Sequence, residues 1–263
     1  MATTRRPLIA GNWKMNLDHL QSIAFVQKLA WALKDKKFNE QEVEVAVFPP
    51  FTDLRSVQTL INADDLPLQL GAQDVSTHDE GAHTGDVSGV FLKALDCEYV
   101  IVGHSERRAD HHEDDEVCTS KVQAALRNNL VPILCVGETA EDLEQYGASK
   151  VPVDQLTAVL SSVKKGAEMV IAYEPVWAIG SGQAATPDQA EEVCKALRET
   201  IRSLHGEEAA QSTRILYGGS VKSGNIAGFM KRENIDGALV GGASLDVDEF
   251  VAIARFPHHV SVD

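Results

Sequence analysis

Met169-Val170-Ile171-Ala172-Tyr173-Glu174-Pro175-Val176-Trp177-Ala178-Ile179-Gly180 runs an apolar, strand-like segment straight into a carboxylate and then into an apolar turn bounded by Pro and Gly. Pro175 fixes its own φ and biases Glu174 toward extended geometry, while Gly180 and Gly182 permit backbone conformations closed to other residues. The turn is therefore stiff in its middle and free at its ends. A desolvated Glu is a stronger base than a hydrated one, so a flap carrying Val176, Trp177 and Ile179 over Glu174 has a chemical use. Taken alone, the segment reads equally well as an ordinary βα loop with a surface Glu.

Working outward, the same strand-then-helix pattern repeats along the chain. Apolar strand runs lie at Leu8-Ile9-Ala10, Val43 to Phe48, Leu68-Gln69-Leu70, Tyr99 to Val102, Val131 to Val136, Met169 to Tyr173, Arg214 to Leu216 and Gly237 to Val240. Between them, amphipathic patterns predict helices at about Leu17 to Leu33, Asp53 to Asn62, Gly89 to Leu95, Asp114 to Asn129, Val153 to Val163, Pro187 to His205, Ser223 to Lys231 and Asp248 to Phe256. Thr186-Pro187 is an N-cap and first-turn arrangement, and Ser88 is a second candidate cap. The strand runs are continuous rather than alternating, as expected of parallel strands buried on both faces. Repetition of the unit from end to end predicts a closed (β/α)8 TIM barrel filling residues 1–263 as one α/β domain. An open doubly wound sheet of the dinucleotide-binding kind is disfavoured, because Gly11-Asn12-Trp13-Lys14 lacks the Gly-x-Gly-x-x-Gly fingerprint after the first strand.

Composition narrows the partners. The 263 residues are 44% hydrophobic, enough for a full-sized core, and carry a net charge of −15 without a Lys/Arg cluster. That balance argues against nucleic acid and anionic membrane surfaces, but not against a small anion held by one Lys and several backbone N–H groups. With no apolar run of spanning length and no signal-like segment after Arg5 and Arg6, a soluble cytoplasmic protein is expected. Cys97, Cys118, Cys135 and Cys194 are too scattered for a disulfide framework or structural zinc. Asp110-His111-His112-Glu113-Asp114-Asp115-Glu116 mixes metal-ligand types, yet adjacent side chains rarely converge on one ion, and an acidic first turn suits a solvated helix start. No metal is expected, and His258-His259 is left unassigned.

In a barrel, reactive groups gather where strands exit. The first strand leads to Asn12 and Lys14, a fixed positive charge for an anionic substrate or else a solvated surface residue. The fourth leads to Gly103-His104-Ser105-Glu106-Arg107-Arg108; His104 is open to a structural or a proton-shuttling reading, and its position at a helix start favours the latter. Glu174 follows the sixth. Tyr217-Gly218-Gly219-Ser220 and Gly241-Gly242-Ala243-Ser244 follow the seventh and eighth, where barrels commonly bind phosphate.

These segments together resemble the triosephosphate isomerase family: Gly11-Asn12-Trp13-Lys14-Met15-Asn16, Gly103 to Arg108, Tyr173 to Gly180 and Tyr217-Gly218-Gly219-Ser220-Val221 match its signature stretches in order along the chain. The resemblance implies interconversion of dihydroxyacetone phosphate and glyceraldehyde 3-phosphate in glycolysis and gluconeogenesis, through an enediol(ate) and without a cofactor. Glu174 would move the proton between carbons. His104, neutral, would polarise the carbonyl, a pairing of which this family is itself the known example. Lys14 and Asn12 would stabilise negative charge, Glu106 would order that network, and N–H groups at Gly180, Ser220 and Gly242 would hold phosphate, with Gly241 allowing close approach. Closure of Pro175 to Ala185 would exclude water. The resemblance further implies a homodimer in which loop 73–88 carries Thr84 toward the partner's site. The sequence departs from the family pattern at Ser181-Gly182-Gln183-Ala184-Ala185, at Asp74 and His83, and at His111-His112, all outside the reactive set. A Schiff-base barrel enzyme lacks its Lys at the sixth strand, and a catalytically silent barrel would be expected to have lost a reactive residue.

Overall fold

The computed structural model describes residues 5–179 and 184–258. Eight parallel strands close into a barrel in sequence order: β1 Leu8–Asn12, β2 Glu44–Phe48, β3 Gln69–Ala72, β4 Tyr99–Val102, β5 Val131–Val136, β6 Val170–Tyr173, β7 Arg214–Tyr217 and β8 Gly237–Val240. Closure is made by β8 against β1, with Leu8 opposite Gly237 and Gly11 opposite Val240. Alternate residues of each strand face opposite ways. Leu8, Ala10, Phe48, Ile101, Ile133 and Leu216 join one buried cluster filling the barrel, whereas Ile9, Val47, Val100, Leu134, Ile171 and Ile215 join a second cluster with the surrounding helices. Both faces are therefore apolar, which is why the strands read as unbroken runs.

The helices among the described residues are α1 His19–Asp35, α2 Leu54–Asp64, α3 Gly89–Ala94, α4 Ser105–Asp110, α5 Asp115–Arg127, α6 Ala140–Tyr146, α7 Lys150–Leu160, α8 Pro187–His205, α9 Glu207–Ser212, α10 Ile226–Met230 and α11 Val247–Ala254. Thr186 caps α8 in a capping box with Gln189, and Ser88 caps α3 by accepting the Phe91 N–H. Several boundaries differ from the sequence expectation. Helix α1 starts at His19 because Asp18 is its cap and Leu17 has φ +67°. Helix α7 starts at Lys150, and α10 is only five residues long. Helices α4, α6 and α9 have no counterpart in the prediction, being six or seven residues long and too short for a recurring apolar stripe.

The strand-entry end of the barrel is sealed by polar groups. Arg214 donates to Glu44 at 2.7 Å and to the Tyr99 hydroxyl at 2.7 Å, and that hydroxyl donates to Glu44 at 2.8 Å. Beside β7 and β8, buried Arg198 of α8 donates to Asp236 at 2.6 Å, to Asn234 at 2.9 Å and to the carbonyls of Ala210 and Thr213. Asp236 also accepts from Arg5 and from the Ile215 N–H. All four cysteines are buried and unpaired. No helix among the described residues is long and apolar enough to cross a membrane.

Candidate active site

Glu174 follows β6 directly, and its N–H donates to the Val136 carbonyl at 2.8 Å, continuing the strand pairing by one residue. Two glycines make room for it. A Cβ on Gly137 would stand 1.8 Å from the Glu174 carbonyl oxygen, and one on Gly218 would stand 2.9 Å from Glu174 Cγ. The carboxylate is 2% exposed. One oxygen, Oε1, lies 3.0 Å from His104 Nε2, and the other accepts the Ser105 N–H at 2.9 Å.

His104 is the N-cap of α4, and its Nδ1 accepts the Glu106 N–H at 3.2 Å. A ring nitrogen that accepts carries no proton, so the proton sits on Nε2 and points at Glu174. That tautomer suits a neutral ring, whereas the carboxylate beside it favours a charged one. Two influences compete over its charge. Burial pushes the His104 pKa down, but the adjacent Glu174 carboxylate outweighs it and leaves the pKa raised. Conversely, burial pushes Glu174 up, and His104 together with the Ser105 N–H brings it below the usual carboxylate value.

Lys14 sits just past β1 with φ +53°, a left-handed conformation that costs a non-glycine residue about 1–3 kcal/mol. Local bonds offset the strain. Its N–H donates to Asn12 Oδ1 at 3.0 Å, and its carbonyl accepts from Gln73 Nε2 at 2.8 Å. The ammonium reaches Glu106 Oε1 at 2.5 Å. A cavity of ≈ 600 Å³ is lined by Asn12, Lys14, His104, Glu106, Glu174, Ser220, Gly241 and Gly242, so every predicted site residue but one opens onto a common space. The exception, Gly180, lies outside the described residues, as do Ser181, Gly182 and Gln183 of the flap. Gly241 packs on Lys14, with its Cβ position 3.5 Å from Lys14 Cε, and Gly242 opens a single turn, Gly242–Leu245, after β8.

Sequence reasoning missed the groups that anchor the flap. Glu138, wholly buried beyond β5, accepts from Trp177 Nε1 at 2.7 Å and from the Tyr173 hydroxyl at 3.0 Å. Burial raises its pKa. At the flap's far end the Ala185 N–H donates to the Tyr217 hydroxyl at 3.2 Å. The strand-exit rule, applied to Gly137-Glu138-Thr139 after β5, would have found Glu138.

The acidic stretch at 110–116 needs a correction. Asp114 caps α5 and accepts the Val117 N–H, as a helix start should. Glu113, however, is buried rather than solvated: it takes Arg107 Nε and Lys121 Nζ, each at 2.6 Å, and Asp74 completes the cluster at 2.6 Å from Lys121 and 3.0 Å from Arg107. No group of three or more His, Cys, Asp or Glu placed to hold a metal ion occurs among the described residues.

The triosephosphate isomerase family model matches residues 7–256 of this chain. The chain belongs to the triosephosphate isomerase family. Relatives bearing that name from Leifsonia xyli subsp. xyli, Streptomyces avermitilis and Mycobacterium avium are 66%, 57% and 52% identical to it. The alignments cover 97%, 97% and 95% of this chain and 99%, 98% and 96% of the relatives. Triosephosphate isomerases are themselves the known example of a Glu base set beside a neutral His at a helix N-terminus. Here Glu174 Oε1 stands 3.0 Å from Nε2 of His104, which caps α4.

Proposed function

We propose that the cavity at the strand exits carries out the reversible interconversion of dihydroxyacetone phosphate and D-glyceraldehyde 3-phosphate, with Glu174 as the base. The chain is an intramolecular aldose–ketose isomerase of glycolysis and gluconeogenesis. The observation that carries the assignment of roles is the pairing of Glu174 with the Nε2–H of His104, 3.0 Å apart at the floor of the cavity.

Substrate entering the cavity takes over the Nε2–H with its carbonyl oxygen, and the carboxylate turns from Ser105 to the carbon beside that carbonyl. Glu174 removes the proton there and returns it to the neighbouring carbon. His104 donates its hydrogen bond to the developing enediolate and moves protons between the two oxygens. A neutral imidazole is the better match, since its weak acidity lies nearer that of the enediol. Lys14 and Asn12 stabilise the negative charge, and Glu106 holds the ammonium. Ser220, Gly241 and Gly242, with Gly180, take the phosphate. The flap between Pro175 and Ala185, anchored through Trp177 and Tyr217, excludes water and hinders loss of phosphate from the enediolate. None of these steps calls for a metal or an organic cofactor.

The same reading extends to assembly. Met15 is 95% exposed at the edge of a second cavity of ≈ 450 Å³ lined also by Lys14, Gln73 and His111, and residues 80–86 of loop 73–88 are exposed. A second copy placing Thr84 of that loop in the cavity would cover both, making the working form a homodimer; we take the chain as one domain, located in the cytoplasm. A coupled assay on glyceraldehyde 3-phosphate, with chelator present and no nucleotide added to the isomerase step, tests the function. Turnover supports it, and none at any substrate concentration would leave a silent barrel. Sedimentation equilibrium tests the dimer.

A further inference from the structure

Gln73 is the first residue beyond β3, and its side-chain amide bridges the exits of two other strands. Nε2 donates to the Lys14 carbonyl at 2.8 Å and to the Phe48 carbonyl, at the end of β2, also at 2.8 Å. Two acceptors facing one end of the amide fix its orientation, because Oε1 in that place would meet two oxygens. Both amide hydrogens are thereby used. The Phe48 carbonyl also takes the Trp13 N–H at 3.2 Å, and the Trp13 carbonyl takes Asn16 Nδ2 at 2.7 Å.

The consequence falls on Lys14. Its left-handed backbone, φ +53°, is gripped on both sides by side chains: Asn12 holds the N–H and Gln73 holds the carbonyl. Backbone direction at Lys14 decides where its long side chain starts, hence whether the ammonium stands in the ≈ 600 Å³ cavity beside His104 and Glu106. Gln73 lines the neighbouring ≈ 450 Å³ cavity beside Lys14, and its two donors are already spent on the Lys14 and Phe48 carbonyls, so its hold on the site runs through the Lys14 backbone.

We propose that Gln73 is a positioning residue for Lys14, locking the strained Lys14 peptide so that the ammonium is aimed at the anionic substrate before it arrives. Preorganisation of this kind matters because a charge displaced by about 1 Å can cost about 100-fold in rate. The inference rests on the role assigned to Lys14 above.

Steady-state kinetics on wild type, Gln73→Met, Lys14→Met and the double variant test it, with thermal unfolding and sedimentation on each. Met keeps the length and bulk of Gln and removes both donors. Assayed at a protein concentration where sedimentation shows the same association state as wild type, Gln73→Met should lower kcat/KM by at least about tenfold, with a raised KM as the main component and the unfolding temperature near wild type. In the Lys14→Met background the same change should add almost nothing, since a residue that acts through Lys14 has nothing left to act on. Wild-type kinetics in Gln73→Met, or an equal further loss in the double variant, would overturn the inference. Wild-type activity in Lys14→Met would overturn the role of Lys14 itself and this inference with it; loss there beside an unaffected Gln73→Met overturns the inference alone. If Gln73→Met does not fold, Gln73→Asn, whose amide is one methylene short of the two carbonyls, is read by the same outcomes.

Discussion

Nε2 of His104 lies 3.0 Å from Oε1 of Glu174, while Nδ1 of the same ring accepts a backbone N–H at the start of α4. Each side chain therefore sets the charge of the other. Burial alone would push Glu174 toward its protonated form, and the imidazole with the Ser105 N–H reverses that, keeping the carboxylate ionised where it is 2% exposed. The carboxylate is thus ionised, though desolvated, in this site.

Replacing His104 separates these effects. His104→Gln removes the largest influence lowering the Glu174 pKa, so burial prevails and that pKa rises. The sign follows: the carboxylate of the free wild-type enzyme stays ionised to below its ordinary value, and in the variant it protonates at higher pH. The acid limb of kcat/KM, which in wild type reports the coupled Glu174–His104 pair, should change position in the variant, and kcat should fall by about 100-fold or more. Folding should be little affected. A pH–rate profile with an unmoved acid limb would contradict this coupling, and loss of folding would mark His104 as structural.

The Arg198–Asp236 pair at the other end of the barrel should behave in the opposite way. Its side chains are 4% and 6% exposed, and the guanidinium also satisfies Asn234 and two carbonyls. Arg198→Met leaves the buried Asp236 with Arg5 as its remaining cation and strips donors from Asn234 and two carbonyls, a change that costs up to about 3–5 kcal/mol, the value for a fully unpaired buried charge. Urea unfolding should register that loss while kcat per folded molecule remains at the wild-type value.

Asp74 offers a pH test of stability. Burial outweighs Lys121 and raises its pKa above the ordinary value, so the folded protein holds the proton more tightly than the unfolded chain. For such a group, stability is fully present below the unfolded pKa and is lost as pH rises through the folded one. Asp74→Asn removes that penalty. The variant should unfold at a higher temperature than wild type near pH 7, and the advantage should vanish as pH falls below about 4. An advantage independent of pH would contradict the cause given.

Much of the barrel was legible because parallel strands buried on both faces leave runs such as Val131 to Val136 that no alternation interrupts. The positions of the side chains proposed to react were legible for a related reason. Strand exits occur at fixed points of a βα repeat, so Lys14, His104 and Glu174 could be placed without knowing what they touch. What escaped was whatever depends on contacts distant in sequence or on groups without side-chain identity. The Ser105 N–H that holds Glu174 is a backbone donor and leaves no mark in residue type. Glu138 stands at a strand exit and was open to the same rule, but Gln73 looks like an ordinary loop residue until β1 and β2 are brought beside it. Glu113 was misread because the acidic helix start around it is locally persuasive, while its partners Arg107 and Lys121 lie on α4 and α5 and meet it only once those helices are packed.

The turnover of Glu174→Asp tests the proposed base most directly. Shortening the side chain by one methylene keeps the charge but draws the carboxylate back from the position the glycines at 137 and 218 and the ring of His104 define. If Glu174 moves the substrate proton, kcat should fall by about 100-fold or more with unfolding temperature near wild type. A kcat within a factor of a few of wild type, in a correctly folded variant, would contradict the assignment of the base.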